Sequence, residues 1–149
     1  MKPVRTLFLV AGEHDARFLL NDGVGKGLAE VAVLGISQFP EASAEYSDRP
    51  GRHSAAAGRM AVHGLDPHQT LDEQHRERFA RRVAEALGQQ WTAQGPDRLI
   101  MAAPPKMLGL LRDAIDGPAA AALLADLPKD LVRIPTHDLP SHFAELIAV

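Results

Sequence analysis

Two runs of unbroken apolar character set the terms of the fold: Thr6-Leu-Phe-Leu-Val-Ala11, and Leu99-Ile-Met-Ala-Ala103 following Arg98. A strand with one face in water alternates apolar and polar residues, whereas a strand covered on both faces need not. Both runs therefore predict strands at the centre of a covered sheet. Between them, Ala16-Arg-Phe-Leu-Leu20 follows the first run after four residues, which predicts an antiparallel hairpin. Asn21-Asp22-Gly23, with Gly25 and Gly27 close behind, is turn chemistry, and Leu28 to Ile36 supplies a third strand. Three strands on short connections make a meander.

The second half of the chain reads in a different period. Thr70-Leu-Asp-Glu73 is a capping-box pattern, and Phe79, Val83, Leu87 and Trp91 recur every four residues, predicting a helix from Thr70 to about Thr92. Gly95-Pro96 ends it. Pro104-Pro105 opens a second helix to about Asp116, and Ala119 to Leu127 reads as a further short one. Leu131-Val-Arg-Ile134 reads as the fifth strand, and Pro140 as the start of a terminal helix ending near Val149. This order predicts an α/β fold: a three-layer, mixed five-stranded sheet of ribonuclease-H-like topology. At 149 residues the chain has the length of one domain, spanning 1–149.

Residues 37–69 break the pattern. Pro40, Pro50 and Pro67 with Gly51, Gly58 and Gly64 interrupt any period, and a connection beyond about 12–15 residues is usually functional or disordered. A long functional or mobile loop is expected there.

Composition narrows the chemistry. With no cysteine there is no disulfide scaffold, thiolate zinc site or Cys nucleophile. A formal net charge of −3 argues against a wholly basic nucleic-acid coat but not against a local basic patch. No apolar run approaches the roughly 20 residues that span a bilayer, and the N-terminus lacks a signal-peptide pattern, so no membrane insertion and a cytoplasmic location are expected. A two-metal nuclease needs carboxylates converging at strand ends. The first strand carries no acid, Glu13 and Asp15 lie in the following turn, and the fourth strand ends in Ala-Pro-Pro. The seven histidines include His53, His63, His68 and His75 in or beside the long loop, but no HExxH or tight pair offers a metal site, so solvated loop histidines are expected. Gly23-Val-Gly-Lys-Gly27 lacks phosphate-loop spacing, and no G-x-S-x-G elbow surrounds Ser47 or Ser54. No catalytic residue, metal or cofactor is therefore assigned. A hydrolase built on His53 with Ser54 or Asp48 lacks an assignable triad.

Charge placement remains. Arg49, Arg52 and Arg59 stand in the loop with Asp48 as the nearby acid, and the next helix carries Arg76, Arg78, Arg81 and Arg82. Glu77–Arg81 and Arg81–Glu85 are i,i+4 pairs of a solvated face. Arg78 and Arg82 are like charges four apart on the side of His75, which is unfavourable unless an anion or acidic partner sits opposite. Arg49, Arg52 and Arg59 can grip phosphates, and Gly51 and Gly58 let the backbone approach a polyanion. The candidate RNA- or anion-binding set is Arg49, Gly51, Arg52, His53, Gly58, Arg59, His75, Arg78 and Arg82.

Ser47-Asp48-Arg49-Pro50-Gly51-Arg52, the Glu73-x-x-x-Glu77-x-Phe79-Ala80 helix, Ala102-Ala103-Pro104-Pro105 and Lys129-Asp130-Leu131 resemble the bacterial host-attachment protein family over nearly the whole chain. That family is similar in turn to the middle domain of archaeal and eukaryotic translation release factors and their Pelota relatives. In the release factors a Gly-Gly-Gln loop between the third strand and a long helix reaches the ribosomal peptidyl-transferase centre, whereas Pelota-like members lack that motif and act by binding. Here the connection holds Gly51-Arg52-His53-Ser54-Ala55, so the resemblance implies binding of RNA or the ribosome without peptidyl-tRNA hydrolysis. The alternative is a protein–protein module affecting attachment, whose basic loop docks an acidic protein partner.

Overall fold

The computed structural model describes residues 2–42 and 70–149. Strands β1 (Thr6–Ala11), β2 (Asp15–Asn21) and β3 (Ala29–Gly35) form the expected meander, followed by 3-10 turns at Ile36–Gln38 and Pro40–Ala42. Helix α1 (Leu71–Gln94) leads to β4 (Arg98–Ala102), α2 (Pro105–Ala114), α3 (Gly117–Ala121), β5 (Leu123–Leu127) and the single-turn α4 (Pro140–Phe143). The sheet order is β3-β2-β1-β4-β5. β1–β2 and β2–β3 pair antiparallel, and β1–β4 and β4–β5 pair parallel. The class read from the sequence, a mixed five-stranded α/β sheet, is observed, with the first four strands where they were expected.

The two continuous apolar runs are neighbours at the sheet centre, with Leu7 against Leu99 and Leu9 against Met101. Successive residues point to opposite faces. Leu7, Leu9, Leu99 and Met101 meet Phe79, Val83 and Leu87 of α1 and Met107 and Leu111 of α2. Phe8, Val10, Ile100 and Ala102 face the other way and pack on Leu131, Val132, Leu139, Phe143 and Ile147. The rings of Phe8 and Phe143 lie 4.7 Å apart between centroids. One face is thus covered by long helices, and the other by the irregular C-terminal segment.

Three expectations are corrected. The fifth strand is Leu123–Leu127, inside the stretch read as a short helix, whose helical part ends at Ala121. Leu131 to Ile134 is a turn, closed by Ile134 N donating to Leu131 O at 3.0 Å. Leu131 and Val132 are buried, and Ile134 half-buried, by packing across the sheet face, not by strand pairing. The terminal helix is one turn, Pro140–Phe143, and does not run to Val149.

Arg17 binds the C-terminal layer to the sheet. It stands on β2, 9% exposed, and donates to Val132 O (3.1 Å), Ile134 O (2.6 Å) and Thr136 Oγ1 (2.7 Å) while its Nε pairs with Glu30 at 2.7 Å. At both margins the ladder skips a residue. Phe18 faces Ala32 and Leu19 faces Glu30, leaving Val31 without an opposite number. Leu99 faces Leu123 and Ile100 faces Ala125, leaving Leu124 likewise.

Candidate functional site

α1 starts with the capping box predicted for it. Thr70 Oγ1 accepts from Glu73 N at 3.1 Å, and Glu73 Oε1 accepts from Thr70 N at 2.8 Å. The reciprocal bonds satisfy two of the donors that a helix start leaves open. At the far end Gly95 adopts φ 60°, the left-handed cap that glycine accepts without strain. The helix turns His75, Phe79, Ala80, Val83 and Leu87 inward. Arg78 and Arg82 flank that stripe, one turn apart.

What faces them is Glu41. Arg78 Nη1 donates to the Glu41 carbonyl at 3.0 Å, and Arg82 Nε donates to Glu41 Oε2 at 2.5 Å. Arg82 Nη1 also reaches Glu85 Oε1 at 3.2 Å. The Arg82 guanidinium lies 5.4 Å from the centroid of the Phe39 ring, itself 6.4 Å from the buried Phe79 ring. The Arg82 hydrogen bond, then Glu41's own backbone, holds the Glu41 carboxyl below the ordinary carboxylate range, and the same pairing raises Arg82. The acidic group demanded by two like charges at i,i+4 is therefore supplied by the chain itself.

The other arginines of α1 also meet carboxylates. Arg76 Nε binds Glu13 Oε2 at 3.1 Å, joining α1 to the end of β1, and Arg81 lies 3.9 Å from Glu77. Glu85 is engaged by Arg82, one position from the expected Arg81. Of the nine candidate residues, Arg49, Gly51, Arg52, His53, Gly58 and Arg59 lie outside the described residues. His75 corrects the expectation of a solvated histidine, because it is buried to 9% exposure in the inward stripe. Arg78 and Arg82 come together as read. Sequence reasoning missed Glu41 and Phe39, although the like-charged arginines already called for an anion or acidic partner opposite them.

A cleft of about 340 Å³ opens beyond β1, lined by Gly12, Glu13, His14, Asp15, Pro104, Asp130, Val132 and Arg133. Glu13 there is held by Arg76, and Asp130 Oδ1 accepts from Val132 N at 3.3 Å. Among the described residues no three His, Cys, Asp or Glu side chains form a set that could hold a metal ion. No helix among them is long and apolar enough to cross a membrane.

Comparison with known proteins adds to this geometry. A family model described as "protein required for attachment to host cells" matches residues 7–143. None of the curated proteins is a match in sequence. Among solved structures, the chain is similar to an archaeal translation termination factor, with TM-score 0.55 and 14% identity over 96% of this chain and 35% of that one. It also matches a structure described as an archaeal protein (TM-score 0.44, 16% identity, 84% of this chain and 30% of that one). A third is the Ppx/GppA phosphatase of Aquifex aeolicus (TM-score 0.40, 12% identity, 83% and 35%). The chain thus spans about a third of the length of these structures. At such identities the likeness to the termination factor is one of fold.

Proposed function

Because the chain belongs to the family of proteins required for attachment to host cells, we propose that it acts by binding, gripping RNA of the translation apparatus through one basic face. Arg49, Arg52 and Arg59 contact phosphates in this reading, with Gly51 and Gly58 allowing the backbone close, and Arg78 and Arg82 extend the face along α1. The supporting observation is the Arg78/Arg82 pair, which is already bound to an anionic residue in the 3-10 turn Pro40–Ala42. Guanidinium groups recognise phosphate and carboxylate oxygens by the same geometry. The fold shared with an archaeal translation termination factor turns the choice of polyanion toward the ribosome.

The test is co-sedimentation with ribosomes and with free structured RNA across a salt series, with an Arg49/Arg52/Arg59→Ala variant alongside. Binding should fall steeply with salt, and the variant should flatten the log–log slope by about 0.7–0.9 for each phosphate it no longer neutralises. Salt-independent binding, or none at low salt, would overturn the reading. The partner of Arg82 is a carboxylate, which favours a second reading in which the face docks an acidic protein. Capture of a defined partner that survives nuclease treatment separates the two.

A further inference from the structure

We propose that Glu41 is an internal stand-in for a phosphate-type anion, so that the Arg78/Arg82 face is self-occupied and autoinhibited. The identity of the incoming anion as RNA phosphate rests on the function proposed above; the clasp itself does not.

Four features carry the inference. The carboxylate is a modest match for the two cations, because Arg82 offers it one nitrogen and Arg78 meets the neutral backbone carbonyl of the same residue. A phosphate presents more oxygens to the same pair of guanidinium groups and suits them better. Both side chains of the ion pair reach solvent, Arg82 at 41% and Glu41 at 36%, and exposed pairs hold weakly and yield to competing ions. Phe39 lies against the Arg82 guanidinium independently of the carboxylate, so the cation keeps its place when the carboxylate leaves. Finally, Ala42 is fully buried and anchors the turn that carries Glu41. Release of Arg82 therefore requires rotation of one side chain rather than undocking of the segment, whose Glu41 carbonyl stays with Arg78.

Glu41→Gln keeps the side chain's shape and removes its charge. Fluorescence anisotropy with a structured RNA, and titration with inorganic triphosphate, would be run on the wild type, Glu41→Gln, Arg82→Met and the double variant. Removing a competing exposed carboxylate should tighten binding of both ligands about two- to fivefold. It should also steepen the RNA salt slope by about 0.7–0.9, the equivalent of one further phosphate neutralised. The tightening should vanish when Arg82→Met is added. Equal affinity of wild type and Glu41→Gln for both ligands overturns the clasp, and the RNA reading still stands if the wild type binds RNA in a salt-dependent way. Tightening seen with triphosphate alone, and abolished by Arg82→Met, supports the clasp while removing RNA as its ligand. Tightening that persists in the double variant overturns the assignment to Arg82.

Discussion

Among the described residues Arg17 should be the most expensive polar side chain to remove, and the cost can be worked from its four bonds. In Arg17→Met the apolar stem is kept and the guanidinium is lost. Val132 O and Ile134 O then lose their charged donor beneath the C-terminal layer, and Glu30 loses its partner. Two carbonyls left short of a donor cost about 1–3 kcal/mol each, although Ile134 is only half-buried and recovers water. Glu30 has a side chain 36% exposed and is rehydrated at little cost. Severing a fully buried ion pair costs about 3–5 kcal/mol, and the lower part of that range applies here. The expectation is a loss of about 3–4 kcal/mol, a large share of the roughly 5–15 kcal/mol that holds a domain folded. Urea unfolding followed by the fluorescence of Trp91, the single tryptophan, should show the midpoint falling by about 1.5–2 M at an m-value near 2 kcal/mol/M. Glu30→Gln is the internal control, since it leaves the three bonds to the C-terminal segment and should cost about 1 kcal/mol or less. If the two variants were equally destabilised, or if Arg17→Met cost under about 1 kcal/mol, the argument that Arg17 fastens the C-terminal layer would be refuted.

Two further perturbations probe separate joints. Gly95→Ala places a side chain at φ 60° with no heavy atom within 4 Å of the new Cβ, so the cost is backbone strain alone, about 1 kcal/mol or 2–4 °C in Tm by calorimetry. Arg112 binds Asp126 through two bonds of 2.7 Å, and its hydrogen bonds hold the Asp126 carboxyl below its ordinary range. A carboxyl depressed by folding contributes stability above its unfolded pKa of about 3.9 and loses it as pH falls through the folded value. The gap in urea midpoint between wild type and Arg112→Ala should therefore be open at pH 6 and narrow below about pH 4. A gap that widened on acidification would reverse the assigned sign.

The central sheet was legible because burial on both faces erases alternation, as in Thr6–Ala11 and Leu99–Ala103. The α1 boundaries were legible because Thr70, Glu73 and Gly95 act locally on the helix ends. β5 was hidden because Ala119 to Ala122 and Ala125 favour helix on intrinsic grounds, and only pairing with β4 extends Leu123–Leu127. Leu131 to Ile134 misled for the converse reason: β-branched residues were needed to fill the second core, with no ladder beside them. At the candidate site, the arginines could be placed on one helix face by counting. Glu41 could not be assigned to them, since it sits in a stretch without period and meets Arg82 across 41 positions.

The skipped residues at the two sheet margins bear on how this protein meets others. An incoming strand must match donors and acceptors at a constant repeat, and Val31 and Leu124 each put that repeat out of step on an outer strand. Backbone-templated growth, whether into fibrils or into a sheet shared with a partner, is discouraged at both ends. Side chains on the helices lie outside that ladder, so a substitution there can change the surface without disturbing the strands beneath it.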